Sequence, residues 1–137
     1  MEAWRRAWRD GIAEQMSVPD LRLIERALES DDKSLIQGHT CLDSTNNGIG
    51  RTRPDSACII GYVWWKGYGA ATVMQVEDYV DIVLKIAGQL LGDEDAPGYF
   101  LAWYDDSPRD EMRREMLREI RNELTIRYSL ADLAKHS

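Results

Sequence analysis

Aromatic side chains are concentrated in two short segments of the sequence, 62–68 and 99–104, where they could line a binding cleft. Rings of this size often form the walls of a ligand pocket when their polar tips stay in contact with water. One interpretation is therefore a cleft between the two segments that binds a small molecule. The other is that the rings only pack in the core. The rings are those of Tyr62, Trp64, Trp65, Tyr68, Tyr99, Phe100, Trp103 and Tyr104.

Two carboxylates, Asp105 and Asp106, directly follow the second aromatic segment. A carboxylate beside aromatic rings can have a raised pKa and then act as a general acid or base. The alternative is that both acids only contact water in a loop or help to start the next helix. The cleft hypothesis joins Asp105 to six of the aromatic residues, which are Tyr62, Trp64, Trp65, Tyr68, Trp103 and Tyr104.

His39 and Cys41 lie two positions apart, with Asp43 and Cys58 as conceivable partners in a zinc site or beside a nucleophilic thiol. Zinc sites usually show paired spacings such as C-x-x-C or H-x-x-x-H, and the sequence has neither. It also lacks a P-loop, a dinucleotide-binding glycine motif, a G-x-S-x-G motif and an H-E-x-x-H motif. We therefore predict no metal and no cofactor, name no catalytic residue, and leave open whether the protein is an enzyme.

The N-terminal segment combines tryptophan with arginine at helical spacing. Trp4 and Trp8 lie about one helical turn apart, with Arg5 and Arg9 beside them. Trp and Arg are enriched in protein interfaces and among the residues that dominate binding energy. These four residues are predicted to form an interface with a second copy or another protein. The alternative is that the helix packs on its own bundle.

Length and charge restrict the class of function. The chain has 137 residues, 44% of them hydrophobic, and 17 Lys and Arg against 24 Asp and Glu, a net charge of −7. This predicts a single globular domain, 1–137, and argues against a nucleic-acid partner, because phosphate binding favours a basic excess. Residues 41–98 carry 4 basic and 8 acidic side chains, so −4 of the −7 lies in the middle of the chain. An acidic inhibitor protein is compatible with this charge.

The sequence predicts neither a membrane span nor secretion. It contains no apolar run of about 18 residues, and the N-terminus lacks the apolar stretch of a signal peptide. Cys41 and Cys58 are then expected to be free thiols in a reducing compartment. The predicted location is the cytoplasm of a bacterium.

Helices must position the candidate residues, because most of the chain has helical periodicity. Ser17, Thr72 and Ser107 are N-cap residues that mark three helix starts. Stripes of apolar residues at 3- and 4-residue spacing follow these starts and also fill the N-terminal segment. The expected fold is an all-α bundle of five to seven helices.

Two segments depart from this pattern. Residues 38–54 contain a run of Asn and Gly that predicts a long surface loop. Residues 57–65 contain β-branched and aromatic residues that favour a strand, but no comparable second run exists to pair with it. We favour a buried helix that ends near Gly67, with a strand as the alternative.

Three stretches of the sequence form a pattern that spans roughly residues 25–120. They are Leu35-Ile36-Gln37-Gly38 with Cys41; Ala57-Cys58-Ile59-Ile60-Gly61-Tyr62 with Trp65-Lys66-Gly67-Tyr68-Gly69 and Thr72-Val73; and Phe100-Leu101-Ala102-Trp103-Tyr104-Asp105 with Pro108-Arg109-Asp110-Glu111-Met112-Arg113-Arg114. This pattern resembles a family of small uncharacterised bacterial proteins with no assigned function. The resemblance implies no activity and no site residue.

Taken together, these patterns predict a protein-interaction or adaptor module that self-associates through Trp- and Arg-rich helical surfaces. The first alternative is a small-ligand-binding protein or enzyme with the aromatic cleft. The second alternative is an acidic inhibitor protein.

Overall fold

Helices make up most of the computed structural model, which describes residues 1–45 and 51–135. The helices in that part of the chain are α1 (Ala3–Ala7), α2 (Val18–Glu29), α3 (Ile59–Tyr62), α4 (Val73–Leu91), α5 (Ala96–Asp106) and α6 (Arg109–Lys135). α1 continues through a π-helical turn, Trp8–Ile12, and a 3-10 turn, Ala13–Gln15, and α3 continues through the π-helical turn Val63–Gly67. The predicted all-α fold of five to seven helices is confirmed.

Two of the predicted helix starts are closed by reciprocal side-chain caps. The Ser17 hydroxyl accepts a hydrogen bond from the backbone N–H of Asp20, whose carboxylate accepts one from the N–H of Ser17. Thr72 and Gln75 form the same arrangement at the start of α4. Such caps satisfy the backbone N–H groups that the first turn of a helix leaves unpaired. They therefore determine where α2 and α4 begin.

The segment 57–65 is mainly helical, as favoured, with a strand only at its edge. β1 (Cys41–Leu42) pairs antiparallel with β2 (Ser56–Ala57), and the helix starts two residues after β2. The partner strand that the sequence did not reveal is thus a two-residue strand inside the predicted loop 38–54. Residues 46–50 of that loop lie outside the described residues. The Cys58 thiol accepts a hydrogen bond from the N–H of Gly61 at 3.4 Å, and this cap favours the helix.

One continuous cluster of buried apolar residues joins the helices. The segment 3–15 packs on α4 and α5, while α2 packs on α6. Gly11 lies at the closest approach to α4. A Cβ added at Gly11 would lie 2.9 Å from Cδ1 of Leu91 and 3.0 Å from Cβ of Ala87. The glycine lowers local helix propensity, but it lets the two backbones come this close.

We expect Gly11→Ala to lower the free energy of unfolding by about 1–3 kcal/mol, because the new methyl group overpacks the contact with α4. In an exposed helix the same change would stabilise by about 1 kcal/mol. Gly98→Ala in α5 is the matched control, since a Cβ there has no heavy atom within 4 Å. Urea unfolding followed by circular dichroism measures both variants. Stabilisation by Gly11→Ala would contradict the close packing.

Arginines of α6 bind the ends of other helices. Arg113 donates from Nε to the carbonyl oxygen of Leu28 in the last turn of α2, at 2.8 Å. Arg127 donates from Nη2 to the carbonyl oxygen of Ala13 at 2.7 Å and from Nη1 to that of Met16. The last carbonyl groups of a helix have no partner within it, and a nearby cation also interacts favourably with their dipoles. The arginine-rich composition of α6 therefore has a structural use at these positions.

Candidate functional site

The first aromatic segment forms a cluster with α4. Trp64 stacks on Tyr79 with ring centroids 4.6 Å apart and an interplanar angle of 5°, and the Trp64 ring also lies 5.1 Å from that of Tyr68. The rings of Tyr62 and Trp65 meet edge to face at 6.0 Å. The segment thus presents aromatic rings to two neighbouring places on the surface, one at Trp64 and one at Trp65.

The second aromatic segment packs against the N-terminal helix. Trp103 stacks on Trp4 with ring centroids 3.6 Å apart, and Phe100 lies 5.4 Å from Trp8. Tyr104 is fully buried and donates its hydroxyl hydrogen to the carbonyl oxygen of Ile36 at 2.7 Å. These rings are therefore largely part of the core.

The two aromatic segments do not meet in a shared cleft. Among the described residues, no ring contact joins 62–68 to 99–104, and neither cavity that borders the first segment includes a residue of the second. Asp105 accepts a hydrogen bond from the backbone N–H of Gly38 at 2.8 Å, so it holds the start of the segment 38–45. Asp106 is exposed at the end of α5.

The cavity beside Trp65 is polar. It has a volume of about 830 Å³, and its walls include Trp65 together with Arg53, Asp55 and Lys66. The Lys66 ammonium lies 4.2 Å from the centre of the Trp65 ring, a cation–π contact. Neither Arg53 nor Lys66 forms a salt bridge within the described residues. The small-ligand hypothesis, for which Trp65 was one of the predicted residues, stays a prediction.

The groove beside Trp64 opens onto an apolar face of α4. It has a volume of about 550 Å³ and is lined by Trp64, Tyr68, Tyr79 and Ile82 with the polar Gln75 and Asp78. Beyond the groove, Ile86 and Leu90 continue from Ile82 at four-residue steps, which places all three on one side of the helix. The three side chains are between 38% and 57% exposed. We call Trp64, Tyr68, Tyr79, Ile82, Ile86 and Leu90 the α4 surface.

The α4 surface faces away from the core. The buried side of the same helix is formed by other residues, which are Val73, Val76, Val80, Val83, Ala87 and Gly88. A helix at the edge of a bundle normally has one apolar stripe and a polar opposite side. α4 has a second apolar stripe, and within the described residues nothing covers it.

One acidic side chain of α4, Asp78, borders the α4 surface, where it lines the groove beside Trp64. Glu77, Asp78 and Asp81 lie on α4, and Lys85 is the only basic residue of that helix. None of the three carboxylates forms a salt bridge with another described residue. On the far side of the groove, the Tyr68 hydroxyl donates to Asp20 at 3.0 Å, and this bond raises the pKa of Tyr68. The carboxylates of Asp78 and Asp20 therefore lie on the two sides of the groove beside Trp64.

The N-terminal residues predicted as an interface lie against their own chain. Trp8 is fully buried and Trp4 is 8% exposed. Arg5 and Arg9 both donate hydrogen bonds to Glu119 of α6, whose own exposure is only 1%. The helix docks on its own bundle, so Trp4 and Trp8 offer no free surface for a second copy.

Glu119 holds a negative charge inside the molecule. Burial raises the pKa of this carboxyl, but the hydrogen bonds from Arg9 and Arg5 outweigh the burial and hold the pKa below its usual value. Arg9 donates from Nε to Oε2 at 2.7 Å and from Nη2 to Oε1 at 2.9 Å, a bidentate pair. No spacing in the sequence marks Glu119, because its partners are 110 or more residues away.

The two cysteines are buried, free thiols. Burial raises the pKa of Cys41 to about 12 and that of Cys58 to about 11, so neither is a thiolate near neutral pH. In the part of the chain that the structure describes, no group of three or more His, Cys, Asp or Glu side chains is placed to hold a metal ion. His39 lies two residues before Cys41 and is exposed to solvent.

Comparison with family models, with curated proteins and with solved structures finds no match to this chain. Among the described residues, no helix has the length and hydropathy needed to cross a bilayer. The site must therefore be interpreted from its own geometry.

Ile82, Ile86 and Leu90 of the α4 surface were not among the predicted site residues, although their spacing is a signal in the sequence. They fall outside the stripe of Val76, Val80 and Val83 that one buried face requires.

Proposed function

We propose that this protein is a protein-interaction module and that the α4 surface is its docking site. The observation that carries this proposal is the second apolar stripe of α4, which continues into the aromatic groove of Trp64 and Tyr79. Monomeric proteins seldom leave a continuous apolar surface of this kind uncovered unless it binds something. The apolar centre supports an interaction module over an acidic inhibitor, whose binding face would be dominated by carboxylates.

The partner is an amphipathic helix with basic residues beside its apolar face. A straight stripe at four-residue spacing next to a groove is the shape that accepts another helix. A large apolar side chain of the partner would enter the groove between Trp64 and Tyr79, where aromatic anchors are most effective. Lys or Arg on the partner would meet Asp78, which forms no salt bridge with another described residue. This charge match gives orientation and a faster association rate.

The free thiols of Cys41 and Cys58 support a reducing compartment for this interaction, in line with the cytoplasmic location predicted from the sequence. They have no role in docking, because both side chains are buried away from the solvent.

The docking site is tested by titrating the protein with two designed helical peptides that share one apolar face. One peptide has Lys and Arg beside that face and the other has Glu. We expect the basic peptide to shift the Trp64 indole signal and the backbone signals of α4 in NMR spectra. Ile86→Asp should weaken its binding at least about 10-fold, which corresponds to about 1.4 kcal/mol.

Ile126→Asp is the matched control, since Ile126 is an isoleucine of similar exposure on another helix, 45% against 38% for Ile86. It should bind the basic peptide as the unchanged protein does. Equal binding of both peptides would refute the charge match, and signal changes confined to residues outside α4 would refute the docking site.

A further inference from the structure

The polar cavity of about 830 Å³ has two walls that backbone hydrogen bonds hold in place. The first wall is the segment 53–55. On one side of it, the carbonyl oxygen of Thr52 accepts a hydrogen bond from the N–H of Val73 at 2.8 Å. On the other side, the N–H of Asp55 donates to the carbonyl oxygen of Leu42 at 2.8 Å. This wall is therefore fixed to the start of α4 at one end and to β1 at the other.

The second wall is formed by the π-helical turn Val63–Gly67 and the residues that follow it. The N–H of Gly69 donates to the carbonyl oxygen of Trp65 at 3.1 Å. Gly69 has a φ of 74°, a left-handed conformation that glycine adopts without strain. π-helical turns are rare and occur frequently at functional sites. This one places two consecutive side chains, those of Trp65 and Lys66, on the cavity.

Three charged side chains line the cavity, and the protein itself uses none of them in an ion pair. Arg53, Asp55 and Lys66 are exposed, and none forms a salt bridge or a side-chain hydrogen bond with another described residue. The ammonium of Lys66 lies 4.2 Å from the centre of the Trp65 ring. This cation–π contact keeps the ammonium at the cavity without neutralising its charge.

The side chains that line the cavity carry a net charge of +1, because Arg53 and Lys66 face the single carboxylate of Asp55. The surrounding segment, 41–98, has a net charge of −4. The cavity therefore attracts an anion although the protein is acidic as a whole. One negative charge on a ligand balances the cavity, whereas a doubly charged phosphate would leave an excess of negative charge beside Asp55.

We infer that this cavity binds a small organic monocarboxylate with an apolar or aromatic body. The guanidinium of Arg53 offers N–H donors in the planar arrangement that fits a carboxylate, and the ammonium of Lys66 adds a second cation. The body of the ligand contacts Pro54, Ala70 and Ala71, which also line the cavity. The cavity volume lies within the range of about 300–1,000 Å³ that is usual for small-molecule sites.

The carboxylate site and the α4 surface are separate proposals. Gly69 and Ala70 border both cavities, but the charged residues of the carboxylate site do not line the groove beside Trp64. Ile86→Asp should therefore leave carboxylate binding unchanged, and Arg53→Gln should leave the binding of the basic helical peptide unchanged.

The ligand class is tested by NMR titration of the full chain with five small probes. Benzoate has a ring and one negative charge, acetate has the charge alone, and benzyl alcohol has the ring alone. Phenyl phosphate and benzylamine change the charge on the ring. We expect benzoate to shift the Trp65 indole signal and the backbone signals of 53–55 and 69–71, and to bind at least 10-fold more tightly than acetate, benzyl alcohol or benzylamine. Phenyl phosphate should bind no more tightly than benzoate. Tighter binding of phenyl phosphate or benzylamine, or benzoate shifts confined to other residues, would overturn the inference.

Three variants test the charges, and two directions of change are expected. Arg53→Gln and Lys66→Gln should each weaken benzoate binding about 5-fold, since each removes a charged hydrogen-bond donor. Asp55→Asn should strengthen it, because it removes the like charge. Lys85→Gln is the matched control, since this exposed lysine lies outside the cavity and its loss changes the net charge of the protein equally. Equal weakening by Lys85→Gln, or weaker binding by Asp55→Asn, would show that the cavity charges do not select the ligand.

Discussion

Replacing both Arg5 and Arg9 by methionine is expected to lower the free energy of unfolding by about 3–5 kcal/mol at neutral pH. The methionines keep most of the apolar contact of the arginine stems, but Glu119 loses both of its cationic partners. A buried carboxylate without a partner is strongly destabilising, because it has lost its hydration and no hydrogen bond or ion pair replaces it. Urea unfolding at pH 7 measures the effect.

The contribution of Glu119 to the pH dependence of stability should have opposite signs in the unchanged protein and in the double variant. In the unchanged protein the pKa of Glu119 is lowered, so its contribution to stability is present above the usual pKa of about 4.3 and is lost as the pH falls through the folded value. In the double variant, burial acts unopposed and raises that pKa. Protonation then relieves the cost, and the difference in stability should shrink as the pH falls from 7.

Adding Glu119→Gln to the double variant is the control for this prediction. It removes the buried charge, so most of the lost stability should return at neutral pH. If the double variant unfolds at the same urea concentration as the unchanged protein, Glu119 is not buried in the way described. If the triple variant is no more stable than the double, the loss comes from packing around residues 5 and 9 and not from charge.

The second large effect is expected at Trp8, whose replacement by alanine should cost about 3–5 kcal/mol of stability. The side chain is fully buried against Phe100, and its removal leaves a cavity in the middle of the core. Its indole Nε1–H has no hydrogen-bond partner among the described residues. Trp8→Phe should therefore cost much less, since it keeps an aromatic ring and removes the unpaired donor.

Trp103→Ala provides the comparison for Trp8, because Trp103 is only partly buried and stacks on one face of Trp4. Trp103→Ala should lose clearly less stability than Trp8→Ala.

Thermal unfolding together with light scattering distinguishes the two interpretations of the N-terminal helix, which are an interface with another chain and packing on its own bundle. A Trp8→Ala variant that keeps its stability but changes its oligomeric state would show that Trp8 contacts another chain.

Local signals predicted the helices well. Ser17 and Thr72 were predicted as N-cap residues, and their capping chemistry involves only neighbouring residues, so the structure confirms both. The helix at 59–67 was correctly favoured over a strand, but its neighbour β2 was not foreseen. β2 depends on a two-residue partner, Cys41–Leu42, that has no pattern of its own.

Long-range contacts explain what could not be predicted about the candidate site. The spacing of Trp4 and Trp8 shows that one side of the helix is apolar, but it does not say whether α5 or a second chain covers that side. The same holds for the aromatic segments, which periodicity alone cannot bring together or keep apart. Glu119 could not be distinguished from the other acids of α6, because burial is decided by arginines from the opposite end of the chain.

The contacts between the first and last helical segments also determine the order in which the protein can mature on the ribosome. The segment 3–15 has its ends and charges satisfied by Glu119 and Arg127, so it cannot reach its final environment until those residues have been translated. Because translation adds about 5–20 residues per second, the rings of Trp4 and Trp8 stay exposed to solvent for roughly 5–20 seconds before their partners are synthesised. The nascent chain is therefore expected to be a chaperone substrate for as long as α6 remains inside the exit tunnel.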